Sequence, residues 1–381
     1  MIKPNYEEGN IINLTSSILK AFGKKSFYNP LAELDYMKDS KNIVLIVIDG
    51  LGYKFFEKYG KGTIFEKYFR RSLTTVFLST TTSAITTLQT GVAPNKHGFV
   101  ARKTFFKEVG TILKILPYKI RFDGFNINHF QTSKADFIKE KSICQKINCE
   151  SVVIFPEEII DEGNKKILTK KILGYTDLDG FFNHIKAELK KTGDRKYIYG
   201  YIPYFDSICH EFGIGSQESI KYFELLNNAF INFIDSLKST NTTILITADH
   251  GQINTESQKV IYLKDHKEME ECLTMPLCGE PRVAFCYVKS AKTEQFEKYV
   301  NKNLNHCSRL YKSDDIIKEG FFGSGISNPV LQDRLGDYIL VMKENYIIKD
   351  FIMGEEEKYD IGNHGALSEN EMLVPLFVVD K

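Results

Sequence analysis

The stretch that most restricts how this chain can fold is residues 41–52, KNIVLIVIDGLG. Its six apolar residues, several of them β-branched, run without a break into Asp49 and end at Gly50 and Gly52. Such a run is typical of a short strand that is buried on both faces, as in a parallel sheet. Ligands of open α/β sheets bind outside the carboxyl ends of the strands, which makes Asp49 a candidate ligand. An aspartate at this point can equally cap a helix or complete a turn.

The strand predicted at 196–203 leads into a helical turn that carries two polar side chains, Asp206 and His210. Because these residues are four apart, they share one face of a helix. A carboxylate and an imidazole at that spacing can hold one metal ion. The alternative is an aspartate that caps the helix, with a histidine stacked above it.

Two further polar sites also accompany predicted strands. Asp249 and His250 follow the apolar strand TTILIT at 242–247, and a turn there aims both side chains into the crevice at the strand end. His364, in the loop GNHGA, precedes the final strand predicted at 373–379. Each site is also compatible with a plain turn.

Residues 78–91, LSTTTSAITTLQTG, predict a helix that packs closely on the sheet through its small side chains. Ser79 and the threonines after it suit the helix N-terminus. They act either as caps or as a hydroxyl nucleophile, because unpaired N–H groups and the helix dipole favour a phosphate there. In the turn that follows, His97 is expected to make structural hydrogen bonds rather than to bind a metal.

The composition favours a globular enzyme and argues against several other classes. The 381 residues are 43% hydrophobic and carry a net charge of +1, so we expect a large core and no nucleic acid duplex as a partner. No stretch approaches the ~20 apolar residues that span a membrane, and the N-terminus lacks the features of a secretory signal. The seven cysteines form no CxxC pair, which favours free thiols in a reducing, cytoplasmic setting.

The chain is expected to form one catalytic domain over residues 1–381, in which residues 256–345 are an inserted cap subdomain. A hairpin-like excursion formed by Lys103–Gly110 and Ile112–Pro117 is expected to form one wall of the substrate pocket. Specificity is expected to come from the regions 101–130 and 256–345. The oligomeric state cannot be inferred from the sequence.

Six polar residues at four separate strand ends share one explanation, a metal site. They are three aspartates and three histidines, namely Asp49, Asp206, His210, Asp249, His250 and His364. Nitrogen and oxygen ligands without cysteine favour zinc and also suit manganese or iron. Six protein ligands divide into three plus three, and two metals roughly 4 Å apart suit in-line displacement at phosphorus.

The motifs VIDGLG, STTTSAITTLQTG with APNKHG, DSICH, TADHG and NHG together resemble those of the alkaline phosphatase superfamily. They are most similar to its nucleotide pyrophosphatase/phosphodiesterase branch, the type I phosphodiesterases. The resemblance implies an alkaline-phosphatase-like α/β fold, with a mostly parallel central sheet flanked by helices and a smaller inserted subdomain. It also implies a phosphoric ester hydrolase with two divalent metal ions, which acts on a phosphate-ester small molecule such as a nucleotide.

The resemblance also assigns roles along this sequence. One metal would be held by Asp49, Asp249 and His250, and the other by Asp206, His210 and His364. Thr81 matches the position of the nucleophile, with Thr80 and Thr82 as the alternatives. Its hydroxyl would bind the first metal, attack phosphorus and form a phospho- or nucleotidyl-threonine intermediate.

Arg102 departs from the family pattern, because many family phosphodiesterases have an asparagine at that point. An arginine there would bind a phosphate oxygen bidentately and favour a monoester, or else face solvent. Phosphomonoesterase and phosphomutase activity therefore stay open beside diesterase activity. A sulfatase would need a modifiable cysteine where STTTS stands. A binding module that keeps the metal site without catalysis is the rival from another class.

Overall fold

The computed structural model describes residues 1–116, 118–122, 134–160, 168–169, 171–237 and 240–381, with Lys134 described by its backbone alone. Part of the predicted specificity region at 101–130 therefore lies outside the described residues. Among the helices in the described ranges, none combines the length and the apolar character that crossing a membrane requires.

The regular elements are numbered here in chain order. The helices within the described ranges are α1 (Ile11–Ala21), α2 (Tyr53–Tyr59), α3 (Ile64–Tyr68), α4 (Thr81–Thr90), α5 (Pro94–His97), α6 (Lys134–Phe137), α7 (Ile143–Lys146), α8 (Leu178–Lys190), α9 (Tyr204–Phe212), α10 (Gln217–Ser236), α11 (Lys267–Glu270), α12 (Thr293–Asn303), α13 (Ser313–Lys318), α14 (Val330–Leu335) and α15 (Glu369–Met372). The strands are β1 (Asn42–Ile48), β2 (Phe69–Thr74), β3 (Lys103–Phe106), β4 (Thr111–Lys114), β5 (Lys119–Ile120), β6 (Glu150–Pro156), β7 (Ile172–Tyr175), β8 (Lys196–Ile202), β9 (Thr242–Thr247), β10 (Ile253–Asn254), β11 (Val260–Tyr262), β12 (Cys278–Glu280), β13 (Val283–Cys286), β14 (Ser308–Lys312), β15 (Tyr338–Met342), β16 (Ile347–Lys349), β17 (Gly362–Asn363) and β18 (Leu373–Asp380).

The central sheet has the strand order β2–β18–β9–β1–β8–β6–β7. Its strands run parallel except for β18, which is antiparallel to both of its neighbours. All seven residues of β1 are buried, as expected for an apolar strand in the middle of a sheet that is covered on both faces. Helices flank this sheet, and the predicted α/β class with a mostly parallel central sheet is confirmed.

Aromatic side chains pack between helices that flank the sheet. Phe182 of α8 meets α10, with its ring 4.9 Å from that of Phe230 and 4.7 Å from that of Phe233. The helix α4, which is rich in threonine, packs against α1. Small side chains let α4 approach closely, which places its N-terminus near the ends of the central strands.

A second sheet is antiparallel and has the order β14–β15–β13–β12–β3–β4–β5. It combines strands from two distant parts of the chain, 103–120 and 278–342, through the pairing of Gly279 with Lys103. The predicted cap at 256–345 and the predicted hairpin-like excursion at 103–117 thus contribute strands to the same sheet. The division of the chain into a catalytic domain and a cap stays a prediction.

Candidate active site

The carboxyl ends of three central strands bring three aspartates to one edge of the sheet. Asp49 follows β1 directly, Asp249 comes shortly after β9, and Asp206 stands in the first turn of α9, which follows β8. Because β1 pairs in parallel with both β8 and β9, these ends lie side by side. Gly50 has a φ of +73°, and a Cβ at this position would lie 3.0 Å from the Asp206 Cα. A glycine therefore allows the turn after β1 to approach Asp206.

Asp49, Asp249 and His250 form a first group of side chains that could hold a metal ion. The Nε2 atom of His250 lies 3.4 Å from Asp49 Oδ1 and 3.4 Å from Asp249 Oδ2. Asp249 Oδ1 accepts hydrogen bonds from the backbone N–H groups of Gly50 and His250, at 3.1 and 2.9 Å. Asp49 Oδ1 and Asp249 Oδ2 are buried and have no hydrogen-bond partner among the described residues. Buried carboxylate oxygens in this state fit a cation.

A second group consists of Asp206, His364 and His250, so that His250 belongs to both groups. The rings of His250 and His364 are stacked, with centroids 3.9 Å apart. His210 lies beside this group, and its Nε2 is 3.2 Å from Asp206 Oδ2. The structure therefore brings the six predicted ligands into one region. Their allocation to two metals stays a prediction.

The three histidines are oriented in the same way. In each, Nδ1 lies within hydrogen-bond distance of a backbone carbonyl oxygen, namely 2.8 Å from Gly362 for His210, 3.1 Å from Gly251 for His250 and 3.0 Å from Ser79 for His364. An Nδ1–H that donates to a carbonyl fixes the tautomer and leaves the lone pair of Nε2 directed into the site. Metal-binding imidazoles have this orientation.

Burial and mutual repulsion dominate the electrostatics of the site. Burial raises the pKa of the Asp49 carboxyl well above its usual range, and the charges of Asp249 and Asp206 raise it further. Burial also raises the pKa of Asp249, although His250 opposes this shift. For His364, burial and then the neighbouring His250 lower the pKa well below its usual range. A bound cation would offset the repulsion between the carboxylates, and a neutral imidazole is the form that binds metals.

Thr81 is the first residue of α4, and its hydroxyl faces the first group. Its Oγ1 lies 3.1 Å from His250 Nε2 and 3.4 Å from Asp49 Oδ2. The preceding residue, Thr80, is the N-cap, but its side chain makes no capping hydrogen bond. It donates instead to Glu280 Oε1 at 2.8 Å. The first N–H groups of α4 therefore keep their capacity to bind an anion.

His97 and Arg102 have different surroundings, one structural and the other in the cavity wall. His97 is buried, and its Nε2 lies 3.1 Å from the hydroxyl of Thr87 in α4, which is a structural contact. Arg102 lines the cavity of about 270 Å³ that Thr81 and the predicted ligands also line. Its side chain is exposed, and its backbone N–H donates to Glu280 Oε1 at 2.7 Å. The phosphate contact of Arg102 stays a prediction.

Three residues that contact the site escaped the sequence analysis. The hydroxyl of Tyr201, near the end of β8, donates to Asp49 Oδ2. The side chain of Gln252 donates to the backbone oxygen of Asp206, at 3.1 Å, and to its carboxylate. The third residue is Glu280. Tyr201 lies near the end of a strand, and this position could have marked it as a site residue in the sequence. Glu280 lies on a strand much later in the chain, where no sequence feature marks it.

The model of the type I phosphodiesterase/nucleotide pyrophosphatase family matches residues 122–367, which is more than half of the chain. The chain belongs to this family. The resemblance inferred from the motifs is thus confirmed. The matched segment contains five of the six predicted metal ligands, whereas Asp49 and Thr81 precede it. No curated protein significantly matches this member of the phosphodiesterase family.

Solved structures show that this type I phosphodiesterase family member shares its fold with other superfamily enzymes. Murine ectonucleotide pyrophosphatase/phosphodiesterase 5 is 18% identical, covers 88% of this chain and 87% of its own, and has a TM-score of 0.67. An inactive variant of that protein, with alanine in place of a threonine, is known in complex with AMP at the same similarity. Phosphonoacetate hydrolase from Sinorhizobium meliloti 1021, in complex with phosphonoformate, is 14% identical, with 89% and 90% coverage and a TM-score of 0.66. The predicted alkaline-phosphatase-like fold is confirmed.

Proposed function

We propose that this chain is a two-metal phosphodiesterase or nucleotide pyrophosphatase that acts through a covalent intermediate on Thr81. The observation that carries the proposal is the position of the Thr81 hydroxyl. It stands at the N-terminus of α4, 3.1 Å from His250 Nε2 and 3.4 Å from Asp49 Oδ2. A helix N-terminus favours a phosphoryl group, and the neighbouring ligand set favours cations.

Two groups of side chains would each hold one metal ion. Asp49, Asp249 and His250 would hold one divalent ion beside Thr81, and Asp206, His210 and His364 would hold the other. The orphaned buried oxygens of Asp49 and Asp249 support the first assignment. When bound, two such ions would lower the pKa of coordinated hydroxyl groups and neutralise charge that develops on the phosphoryl oxygens. Zinc is our first choice, and manganese or iron suits the same donors.

The reaction has two displacements at phosphorus. Thr81 Oγ1 forms a bond to phosphorus while the bond to the leaving oxygen breaks, which gives a phospho- or nucleotidyl-threonine. Water then attacks the same phosphorus while the bond to Thr81 Oγ1 breaks. This step releases the phosphate product and returns a proton to the threonine oxygen. The N–H groups at the start of α4, which the Thr80 side chain does not cap, would hold the non-bridging oxygens during both steps.

The relatives support a substrate with a phosphoryl or phosphonyl group. One is known as a complex with AMP and another with phosphonoformate, as described above. The inactive murine variant lacks a threonine, which supports a threonine nucleophile here. A phosphomonoesterase remains the second candidate, because Arg102 lines the cavity and an arginine suits a dianionic phosphate.

Replacement of Thr81 tests the proposal. We expect Thr81→Ala to lower the hydrolysis of bis(p-nitrophenyl) phosphate by at least about 10³-fold in zinc-loaded protein, because the nucleophile is lost. Thr81→Ser keeps a hydroxyl and should keep measurable turnover. The matched control is Thr86→Ala in the same helix, where the hydroxyl bonds only the Thr82 carbonyl oxygen in the described structure, at 2.7 Å.

A wild-type protein that hydrolyses neither a diester nor a monoester when fully loaded with metal would overturn the proposal and favour a binding module. Full activity in Thr81→Ala would remove the nucleophile assignment.

A further inference from the structure

Glu280 occupies a position between the two halves of the proposed catalytic centre. It is the last residue of β12 and is only 7% exposed. On one side its Oε1 accepts a hydrogen bond from Thr80, the residue before the nucleophile, at 2.8 Å. On the other side is Gly365, the residue after His364. A Cβ added to Gly365 would lie 3.0 Å from the Cβ of Glu280. Glu280 is thus next to the immediate neighbours of both Thr81 and His364.

Two hydrogen bonds hold one oxygen of the Glu280 carboxylate. Oε1 accepts a second hydrogen bond, at 2.7 Å, from the backbone N–H of Arg102. Burial is the largest influence and raises the pKa of Glu280 above its usual range, while the two hydrogen bonds and the charges of Arg102 and His250 offset part of that rise. Two donors on one carboxylate oxygen stabilise the anion over the acid.

Glu280 also faces the substrate cavity. It lines the cavity of about 270 Å³ together with Thr81 and Arg102. It lines the adjoining cavity of about 90 Å³ as well, which continues past Arg102 toward Lys349. Any phosphoryl group that reaches Thr81 therefore enters a space with this carboxylate in its wall.

We propose that Glu280 makes the site select phosphoryl groups with a single negative charge, such as diesters and the inner phosphates of anhydrides, over the dianionic phosphate of a monoester. Each added charge on the phosphoryl oxygens meets the repulsion of a fixed, poorly solvated carboxylate. A monoanionic phosphoryl group, esterified on two sides, experiences less of this repulsion. The inference rests on the proposed hydrolase function and names its substrate class.

The Glu280 carboxylate also alters the effect of Arg102 on substrate selection. Taken alone, an arginine in the cavity wall favours a dianionic phosphate. Glu280 binds the backbone N–H of Arg102 and lies close enough to interact with its charge. It therefore offsets the attraction that Arg102 would otherwise exert on a monoester.

The variant Glu280→Gln tests the inference, because the amide oxygen keeps the acceptor for both donors while the charge is lost. The measured quantity is the ratio of kcat/KM for bis(p-nitrophenyl) phosphate to kcat/KM for p-nitrophenyl phosphate, at a pH where the monoester is a dianion. We expect the ratio to fall about tenfold, mainly through faster monoester hydrolysis. The control Glu294→Gln removes the same charge from α12, where the side chain is 87% exposed, and should leave the ratio unchanged.

An unchanged ratio in folded Glu280→Gln, or a wild-type preference for the monoester, would overturn the inference while leaving the proposed hydrolase function in place. Hydrolysis of neither ester by wild type would instead remove the proposed function. If Glu280→Gln does not fold, the variant Arg102→Gln tests the same balance of charges, because it removes the positive charge instead of the negative one. Its ratio should rise, and a fall would contradict the inference.

Discussion

At the residue scale, Tyr201 shows how the site depends on groups outside the predicted ligand set. Its ring is buried beside Phe155, with centroids 5.9 Å apart, and its hydroxyl donates to Asp49 Oδ2. That bond fixes the Asp49 carboxylate with Oδ1 free toward His250. Groups that orient a ligand in this way commonly alter metal affinity when they are removed.

We expect Tyr201→Phe to weaken zinc binding about 10- to 100-fold, because Asp49 loses the bond that orients it. The measurement is competition with a chromophoric chelator. Tyr175→Phe is the matched control, since the Tyr175 hydroxyl donates to the Tyr201 carbonyl oxygen at 2.8 Å and touches no predicted ligand in the described structure. Equal zinc affinity in wild type and Tyr201→Phe would contradict an orienting role.

The sequence revealed those site residues that follow apolar strands. Asp49 and Asp249 were predictable because an unbroken apolar run ends just before each of them. Glu280 was not, because its partner Thr80 is 200 residues away and nothing near Glu280 in the sequence marks the contact. Interactions between distant segments depend on how the sheets pack, which local patterns do not encode.

At the scale of elements, the segment between β16 and β17 is held to the second sheet by a cluster of ion pairs. Glu355 lies 3.0 Å from Arg121 Nη2, just after β5, and 2.9 Å from Lys114 Nζ at the end of β4. Burial opposes the charged form of Glu355, but the hydrogen bonds from Arg121 and Lys114 lower its pKa from 4.5 to about 2. This segment also leads to the strand β17, which precedes His364.

A carboxyl whose pKa is lower in the folded state stabilises the fold above its unfolded pKa. The contribution of Glu355 is therefore complete above about pH 4.5 and is lost as the pH falls toward about 2. We expect Glu355→Gln to lower the free energy of unfolding at pH 7 by up to about 3 kcal/mol. In urea titrations, the difference from wild type should shrink below pH 4.5. The control is Glu356→Gln at the exposed neighbouring position, and a difference that is constant with pH would contradict this expectation.

Unbroken apolar runs predicted the central strands β1 and β9, whereas the edge strand β2 was placed wrongly. The threonines and the valine of residues 72–77 predict a strand there, but the strand lies three residues earlier, as β2 at Phe69–Thr74. As an edge strand, β2 is only partly buried, so its arginines are tolerated. The apolar residues Phe77 and Leu78 look like a continuation of the strand, but they pack into the core beneath the second sheet.

At the scale of the whole molecule, a buried ion pair connects the two sheets. Arg282, between β12 and β13, forms a bidentate pair with Glu371, with Nε–Oε1 and Nη2–Oε2 distances of 3.1 and 3.0 Å. Glu371 lies in α15, directly before β18 of the central sheet, and also accepts the N–H of Ala366 at 2.8 Å. The pair therefore joins the second sheet, the central sheet and the loop that carries His364.

We expect Glu371→Gln to lower the free energy of unfolding by about 3–5 kcal/mol, because the Arg282 charge is left buried without its partner. The double variant Arg282→Met/Glu371→Leu should lose less than the sum of the single variants, since no charge is stranded. Urea unfolding of all three proteins measures both quantities. Strictly additive losses would show that the pair does not act as a unit.

The whole chain also carries predictions that the fold alone does not test. All seven cysteines are free, and a cytoplasmic location stays a prediction.

The strands of 256–345 join those of 103–120 in one sheet, because the antiparallel pairing of β12 with β3 links segments that the sequence presents as separate. Pairing between segments so far apart carries no local signal.

The central claim is that six side chains from four parts of the chain meet around two cations beside one threonine. The most direct test is the number of zinc ions that remain bound per chain, by elemental analysis, after zinc loading and removal of the excess. The predicted value is two for the wild-type protein. A value of zero or one in folded protein would contradict the claim.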